Sequence, residues 1–319
     1  MMDFFLKVVK YISDPKFRFS INSVRGLYNS MDDETYLKKL YKLRMGKELN
    51  LDNPQTFNEK LQWLKLHDRK PEYTKMVDKY EAKEYIASKI GDEYIVPTLG
   101  VWNHFDEIDF EALPNSFVLK CTHDSGGLVI CKNKTDLNKK EAKRKIEKSL
   151  SSNYYYSGRE WPYKNVIPRI IAEPLLKDDT VKDIGEQECL TDYKLFCFNG
   201  IPKIMYVSKD KAENPTTDFF DMEYNHLPLR MKDPNSDYWP EKPGKMDEMI
   251  RIASILSAGI PHLRVDFYCA DHKLYVGELT FYHSSGLAPI QPEEWAKKLG
   301  DWIELPMNPR CVNIKKSSD

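Results

Sequence analysis

Residues 263–269 and 273–280 are two strand-length runs separated by the polar turn Ala270-Asp271-His272, a spacing that predicts a β-hairpin. Alternate side chains of a strand share a face. Arg264 and Asp266 therefore point one way, while Val265 and Phe267 point into a core. On the second strand, Glu278 and Thr280 are expected to share a face with Val276. An Asp and a Glu on adjacent strands beside one Arg are costly unless a cation sits between the acids. Mg²⁺, which prefers one or two carboxylates and takes its other oxygens from phosphate and water, meets that need. The same charges also suit a hairpin that is merely solvated, and other segments of the chain separate the two readings.

At 319 residues the chain is long enough for one large domain or two moderate ones. Its 48 Lys+Arg against 49 Asp+Glu leave a net charge of −1. A general nucleic-acid binder carries a basic excess, so no nucleic-acid partner is expected. No apolar run reaches the roughly 18 residues of a membrane span, and the start of the chain lacks the basic residues of a secretory signal. Residues 4–12 fit a short amphipathic helix, either packed on the domain or resting on a membrane surface. The six cysteines (Cys121, Cys131, Cys189, Cys197, Cys269 and Cys311) form no C-x-x-C pair, and four of them sit in apolar contexts that suit a buried thiol. A reduced, cytoplasmic protein is expected, with peripheral contact at the inner face of the membrane left open to residues 4–12.

The first 70 or so residues read as helical and highly charged. Thr56-Phe57-Asn58-Glu59 has the form of a capping box. Tyr73, Met76, Val77 and Tyr80 at one-face spacing predict a helix that stops at Gly91. Further on the period shifts toward strands at 116–121, 128–131, 169–172, 192–198 and 203–208. Helices are expected at 138–150 and 245–257, and a last short one framed by Pro292 and Gly300. Helices first, then hairpins with interspersed helices, is an α+β plan. It divides into a helical region, 1–74, and a larger domain, 75–319.

Three further segments bear on chemistry. In the turn 120–128, Gly126 and Gly127 let the backbone present N–H groups to an anion, with Lys120 adding charge. An ordinary hairpin turn has the same composition. In 170–176, Pro174 removes a ladder donor beside Glu173, freeing neighbouring backbone for something like an adenine edge; a strand end with a surface Glu is the alternative. Asp192-Tyr193-Lys194 puts a carboxylate and an amine on one strand face, as a surface ion pair would. Neither G-x-x-x-x-G-K-[ST] nor G-x-G-x-x-G occurs.

The order of these segments, closing on R-x-D and E-x-T, resembles the order in which ATP-grasp enzymes present their site. Val77-Asp78-Lys79 followed by Ile95-Val96-Pro97 is similar to that superfamily's Asp-Lys helix and Pro-terminated strand. The strings Asn53-Pro54-Gln55-Thr56-Phe57-Asn58-Glu59-Lys60-Leu61-Gln62-Trp63, Leu113-Pro114-Asn115-Ser116-Phe117-Val118-Leu119-Lys120 and Asp192-Tyr193-Lys194-Leu195-Phe196 resemble one branch, the TupA-like ATP-grasp proteins. The likeness runs from about residue 30 to about residue 305.

The resemblance implies an ATP-grasp fold, two α+β subdomains clamping ATP behind the helical N-terminal region. It implies Lys79 and Lys120 on the nucleotide phosphates, and Ser125, Gly126 and Gly127 in the loop over them. Glu173 and Leu175 would form the adenine hinge, and Asp192 would stand on the ribose side. Lys194 would meet the transferred phosphate and Arg264 would stand beside the reacting centre. Asp266, Glu278 and Thr280 would hold Mg²⁺, although the usual final residue there is Asn. The superfamily's N-terminal α/β domain is not evident in the first 70 residues.

The activity so implied is a carboxylate–amine ligase acting through an acylphosphate. Its substrates would be ATP, an acidic sugar or glycan carboxylate and an amine or amino acid, in cell-surface polysaccharide assembly. A sugar kinase is the first alternative. A glycosyltransferase is another, against which the chain shows no D-x-D motif, and an inactive scaffold is the last. His123 and His283 flank the expected site as candidate bases or as solvated loop histidines. Substrate selectivity is expected in the segments 154–161 and 214–243.

Overall fold

The computed structural model describes residues 2–178, 190–209 and 215–306; Cys189, Cys311 and the first residue of the 214–243 segment lie outside them. Six helices come first: α1 (Met2–Ser13), α2 (Pro15–Val24), α3 (Asp33–Met45), α4 (Phe57–His67), α5 (Glu72–Val77) and α6 (Glu81–Ile90). Side chains start several of them. Asp14 and Asp32 cap α2 and α3 by accepting from backbone amides two or three residues on. At α4 the expected capping box forms: Glu59 N donates to Thr56 Oγ1 at 3.3 Å, and Thr56 N donates to the Glu59 carboxylate at 3.0 Å.

The single helix expected across 73–91 is two. Asp78 breaks it, because its Oδ1 accepts from Tyr80 N and Glu81 N at 2.8 and 3.2 Å and so caps a new helix. The break takes Lys79 out of both helices, and its backbone N donates to Thr122 O at 3.1 Å.

There follow β1 (Gly100–Trp102), β2 (Phe117–Cys121), β3 (Leu128–Cys131), α7 (Lys139–Leu150), α8 (Tyr155–Gly158) and β4 (Ile170–Pro174). The four strands make an antiparallel sheet in the order β1-β4-β2-β3. Phe117, Leu119, Ile170 and Ala172 pack on Ala142 and Ile146 of α7 to give this sheet its own core.

The rest of the described chain builds a larger sheet from β5 (Asp192–Phe198), β6 (Ile201–Lys209), β7 (Thr216–Asp221), β8 (His226–Leu227), β10 (His262–Ala270) and β11 (Lys273–Thr280). Around it lie β9 (Arg230–Met231), α9 (Met246–Leu256), β12 (Ile290–Gln291) and α10 (Glu294–Asp301). The sheet order is β11-β10-β5-β6-β7-β8, antiparallel throughout. The α9 face of Met249, Ile252, Ala253 and Leu256 is fully buried with Leu195, Cys197, Val265 and Phe267 in the main core.

That core runs across position 74, the boundary expected from sequence. Phe57, Leu61 and Leu64 on one side and Met76 and Val77 on the other join a single cluster.

The hairpin turn is tighter than expected. Ala270 pairs with Lys273, leaving Asp271 and His272 as a two-residue loop with φ of 50° and 63°, the backbone such a hairpin prefers. The second strand also departs from simple alternation. Asp266 pairs with Glu278, but Phe267 pairs with Val276, so Gly277 is a bulge residue. Val276 therefore stands opposite Phe267 and does not share Glu278's face. Only Gly fits the bulge, since a Cβ on residue 277 would meet the Tyr268 ring at 2.3 Å.

The last helix extends past its expected stop. Gly300 lies within α10, where its missing Cβ allows close approach to α4: a Cβ would meet Gln55 O at 2.2 Å. Gly300→Ala is therefore expected to destabilise the fold by about 2 kcal/mol through forced separation of two packed segments, as a lower urea midpoint would report. An unchanged midpoint would contradict this close contact.

Candidate active site

A cavity of about 180 Å³ lies between the two sheets. Met76, Val77, Ala82, Ile86, Val96 and Leu279 give it apolar walls, while Lys79, Lys83, Lys120, Glu173 and Glu278 supply charge. Glu173, at the end of β4, is buried between two ammonium groups. Lys83 Nζ stands 2.6 Å from one carboxylate oxygen and Lys120 Nζ 2.5 Å from the other. Lys83 also donates to Val96 O and Thr98 Oγ1, both at 2.8 Å. Burial pushes the Glu173 carboxyl up, but Lys120 and then Lys83 outweigh it and hold it below the ordinary value of 4.5. The surface Glu allowed for in the sequence is therefore a buried one, clamped on both oxygens.

Lys79 reaches the turn after β2, where its Nζ donates to Asp124 O. Asp124 organises that turn: its carboxylate accepts from Gly127 N at 3.0 Å and from Ser149 Oγ. The two glycines serve different ends. A Cβ at Gly127 would meet Ser149 Oγ and Cys121 Sγ at 2.4 and 2.5 Å, so this glycine answers to packing. A Cβ at Gly126 would make only an ordinary contact, 3.8 Å from Asp124 Oδ2. His123 is buried, with Nε2 3.1 Å from Ser149 O, so it is no solvated loop histidine.

The large sheet presents its charges in register. Residues directly opposite on paired strands share a face, and one row reads Glu278, Asp266, Lys194, Tyr206, Phe219 across β11, β10, β5, β6 and β7. Beside it runs Tyr268, Asp192, Ser208, Thr217. Arg264 grips both Asp266 oxygens through Nε and Nη2, each at 2.7 Å, and Nη2 also donates to Thr280 Oγ1 at 3.0 Å. Lys194 Nζ lies 2.7 Å from Asp192 and 3.1 Å from Asp266. Burial pushes the Asp266 carboxyl up, yet Arg264 and then Lys194 bring it below the carboxylate range. Lys194 is held above the ordinary amine value; burial opposes this, and Asp266 and Asp192 prevail.

Arg264 Nη1 meets His283 Nδ1 at 2.8 Å. A guanidinium only donates, so Nδ1 accepts and the His283 proton sits on Nε2, 3.3 Å from Ser284 Oγ. Burial, followed by the Arg264 charge, keeps this imidazole well below its usual range and hence neutral. It is neither a solvated loop residue nor a free base.

A second cavity, about 250 Å³, opens along the same sheet face. Asp192, Lys194 and Arg264 form its charged floor, with hydroxyls from Tyr206, Ser208, Thr217 and Ser284 around it. The structure thus divides the expected site residues. Lys79, Lys120, Ser125, Gly127, Glu173 and Glu278 line the first cavity. Asp192, Lys194 and Arg264 line the second. Asp266 and Thr280 line neither and are tied to the second through their bonds to Arg264. Gly126 and Leu175 line neither, and Asp192 stands with Lys194 away from the cavity expected to hold a ribose. Sequence reasoning missed Lys83, whose only local signal is its four-residue spacing from Lys79, and Tyr268, which alternation does place on the face of Asp266.

A family model described as TupA-like ATPgrasp matches residues 59–304. The chain belongs to the TupA-like ATP-grasp family. Its α+β architecture is accordingly the ATP-grasp fold. No curated protein matches the chain. Among solved structures, a D-alanine–D-alanine ligase from Bacillus anthracis is similar at 12% identity and a TM-score of 0.43, covering 90% of this chain and 92% of that one. The ATP-grasp ligase PsnB, complexed with a minimal precursor, is similar at 11% identity and a TM-score of 0.37. That alignment covers 66% of this chain and 54% of PsnB, so the chain spans about half of that ligase's length.

Among the described residues, no group of three or more His, Cys, Asp and Glu side chains is placed to hold a metal. The donor set that remains, two facing carboxylates and the Thr280 hydroxyl, fits an ion that fills its other positions with phosphate and water. Asp266 Oδ2 accepts from both Arg264 and Lys194, while Oδ1 accepts from Arg264 and keeps a second lone pair for a cation.

Glu173 yields a pH prediction. Its folded pKa is depressed, so its stabilisation is complete above the unfolded value near 4.5 and fades as pH falls through the lower folded value. The stability gap between wild type and Glu173→Gln should be full at pH 6 and close toward pH 3, as read by urea unfolding. A gap independent of pH would refute the two-lysine clamp.

Proposed function

We propose that the chain is an ATP-dependent carboxylate–amine ligase that acts through an acylphosphate. The observation that carries this reading is the in-register row Glu278–Asp266–Lys194 with Arg264 beside it, standing between two cavities on one sheet face. ATP would lie in the first cavity, with the Glu173 end of β4 at its base and Lys79 and Lys120 on its phosphates. Lys83 belongs with them, since it orders Glu173 against Lys120. Asp266, Glu278 and Thr280 would hold Mg²⁺, which when bound would offset phosphate charge.

The acid would occupy the second cavity with its carboxylate toward Lys194 and Arg264. A carboxylate oxygen attacks the γ-phosphorus, the bond to the β-phosphate oxygen breaks, and ADP leaves. The amine nitrogen then attacks the acyl carbon, phosphate departs, and the amine's proton passes to solvent or phosphate. Arg264 and Lys194 stabilise the charge on the acylphosphate and on the tetrahedral oxyanion.

The hydroxyls of Tyr206, Ser208, Thr217 and Ser284 around paired charges suit a hydroxylated acid. We assign it as an acidic sugar or glycan carboxylate, joined to an amine or amino acid in cell-surface polysaccharide assembly. In this reading residues 75–319 carry the nucleotide site and 1–74 buttress it. No described helix is long and apolar enough to cross a membrane. Peripheral contact at the inner membrane face is supported by α1, which leaves Phe5, Leu6 and Ile12 60–68% exposed beside Lys10.

The test is ATP turnover with Mg²⁺, D-glucuronate as the acid and a panel of amino acids. ADP and free phosphate should appear only with both co-substrates. Asp266→Asn should abolish them, and Arg264→Ala should lower kcat by roughly 10²–10³. ADP with a phosphate ester in place of free phosphate would mark a kinase. Absence of ATP binding would sink the assignment.

A further inference from the structure

The segment 53–63 is the longest of the motifs read from the sequence, and nothing in the mechanism above uses it. On α4, Asn58, Gln62 and Lys65 follow the i, i+4, i+7 spacing of one helix face. All three are buried, Gln62 and Lys65 completely. Two amides and an ammonium at such depth are costly unless each is paired.

Their partners all lie in one short segment or beside it. Asn58 Nδ2 donates to Gly286 O and Ala288 O, both at 3.0 Å. Gln62 Nε2 donates to Ser285 O and Gly286 O at 3.0 and 3.1 Å. Lys65 Nζ has four acceptors within 3.0 Å: Gln62 Oε1, Gly158 O, Ser285 O and Ser285 Oγ.

The segment they hold is strained. Ser284, Ser285 and Gly286 have φ of 47°, 55° and 64°, three successive left-handed residues of which only the glycine is at ease. Gly286 is also where α4 comes closest, since a Cβ there would meet Gln62 Nε2 at 2.5 Å. Immediately before the strained run stands His283, whose Nδ1 receives Arg264 Nη1.

We propose that Asn58, Gln62 and Lys65 are positioning residues: they hold turn 283–286 in its left-handed form and so orient Arg264 through His283. The chain of contacts is continuous, from α4 to the turn, from His283 to Arg264, and from Arg264 to both oxygens of Asp266. Burial lowers Lys65 to about 8 against the opposing pull of Glu160; the placement of the side chain rests on its four acceptors. The inference rests on the reading of Arg264 as the group beside the reacting carboxylate, and its test separates the two.

The full chain is compared with Lys65→Met and Gln62→Leu. The readouts are the ¹⁵N shifts of the His283 ring, calorimetric binding of Mg²⁺·ADP, and kcat and KM in the ligase assay. The structure requires that wild-type His283 show an accepting Nδ1 and a protonated Nε2. In the variants that signature should be lost, kcat should fall about 10²-fold as expected for a displaced group remote from the substitution, and ADP affinity should hold.

Unchanged His283 shifts in a folded variant overturn the proposal, whatever the activity. If wild type turns over no ATP, the ligase reading fails while the shifts still decide the positioning role. Should Lys65→Met not fold, Gln62→Leu carries the test, because it leaves the ammonium its carbonyl partners. If neither folds, a wild-type His283 that titrates as a free imidazole overturns the inference.

Discussion

The bidentate pairing of Arg264 with Asp266 is the interaction on which the site depends. Both groups are buried on the face of the large sheet, where isolated charges would be prohibitively desolvated. The neighbours complete the compensation: Lys194 on β5, Thr280 on β11 and His283 from the turn each bond one of the pair. Removal of any member leaves another charge or donor buried without its partner. Such a set is therefore specified as a unit, and the register of three strands must be right for it to form at all.

That register also explains how two cavities share one chemistry. A single row of side chains crosses the sheet from Glu278, which opens on the first cavity, to Lys194, which opens on the second. The smaller sheet, together with Lys83 of α6, faces the first cavity with a separate, cationic arrangement around Glu173. A polyanionic ligand between the sheets would meet lysines from one side and Glu278 from the other, which is the electrostatic frame the proposed phosphoryl transfer requires.

Much of this was legible in the chain because the signals are local. The capping box at Thr56, the pairing of β10 with β11 and the strand β5 rest on spacings of two to four residues, which backbone geometry translates directly into structure. The departures have equally concrete causes. Asp78 split a helix because its carboxylate found two amides within three residues. Gly277 broke alternation because the Tyr268 ring occupies the place of its side chain. Gly300 looked like a helix stop, yet it lies inside a helix where another segment presses close.

By itself the sequence determined the local elements, the order of the lysine, glycine-loop, Glu-Pro, Asp-x-Lys, R-x-D and E-x-T segments, and through that order the family. Only the tertiary structure decided which of those residues meet. Lys83 with Glu173 spans 90 positions, His283 with Arg264 joins a turn to a strand, and Lys65 with Ser285 spans 220. Side-chain periodicity reports which face a residue occupies and nothing of what lies across from it. A buried polar group takes its meaning from its partner, and the partner is supplied by the packing of the whole chain.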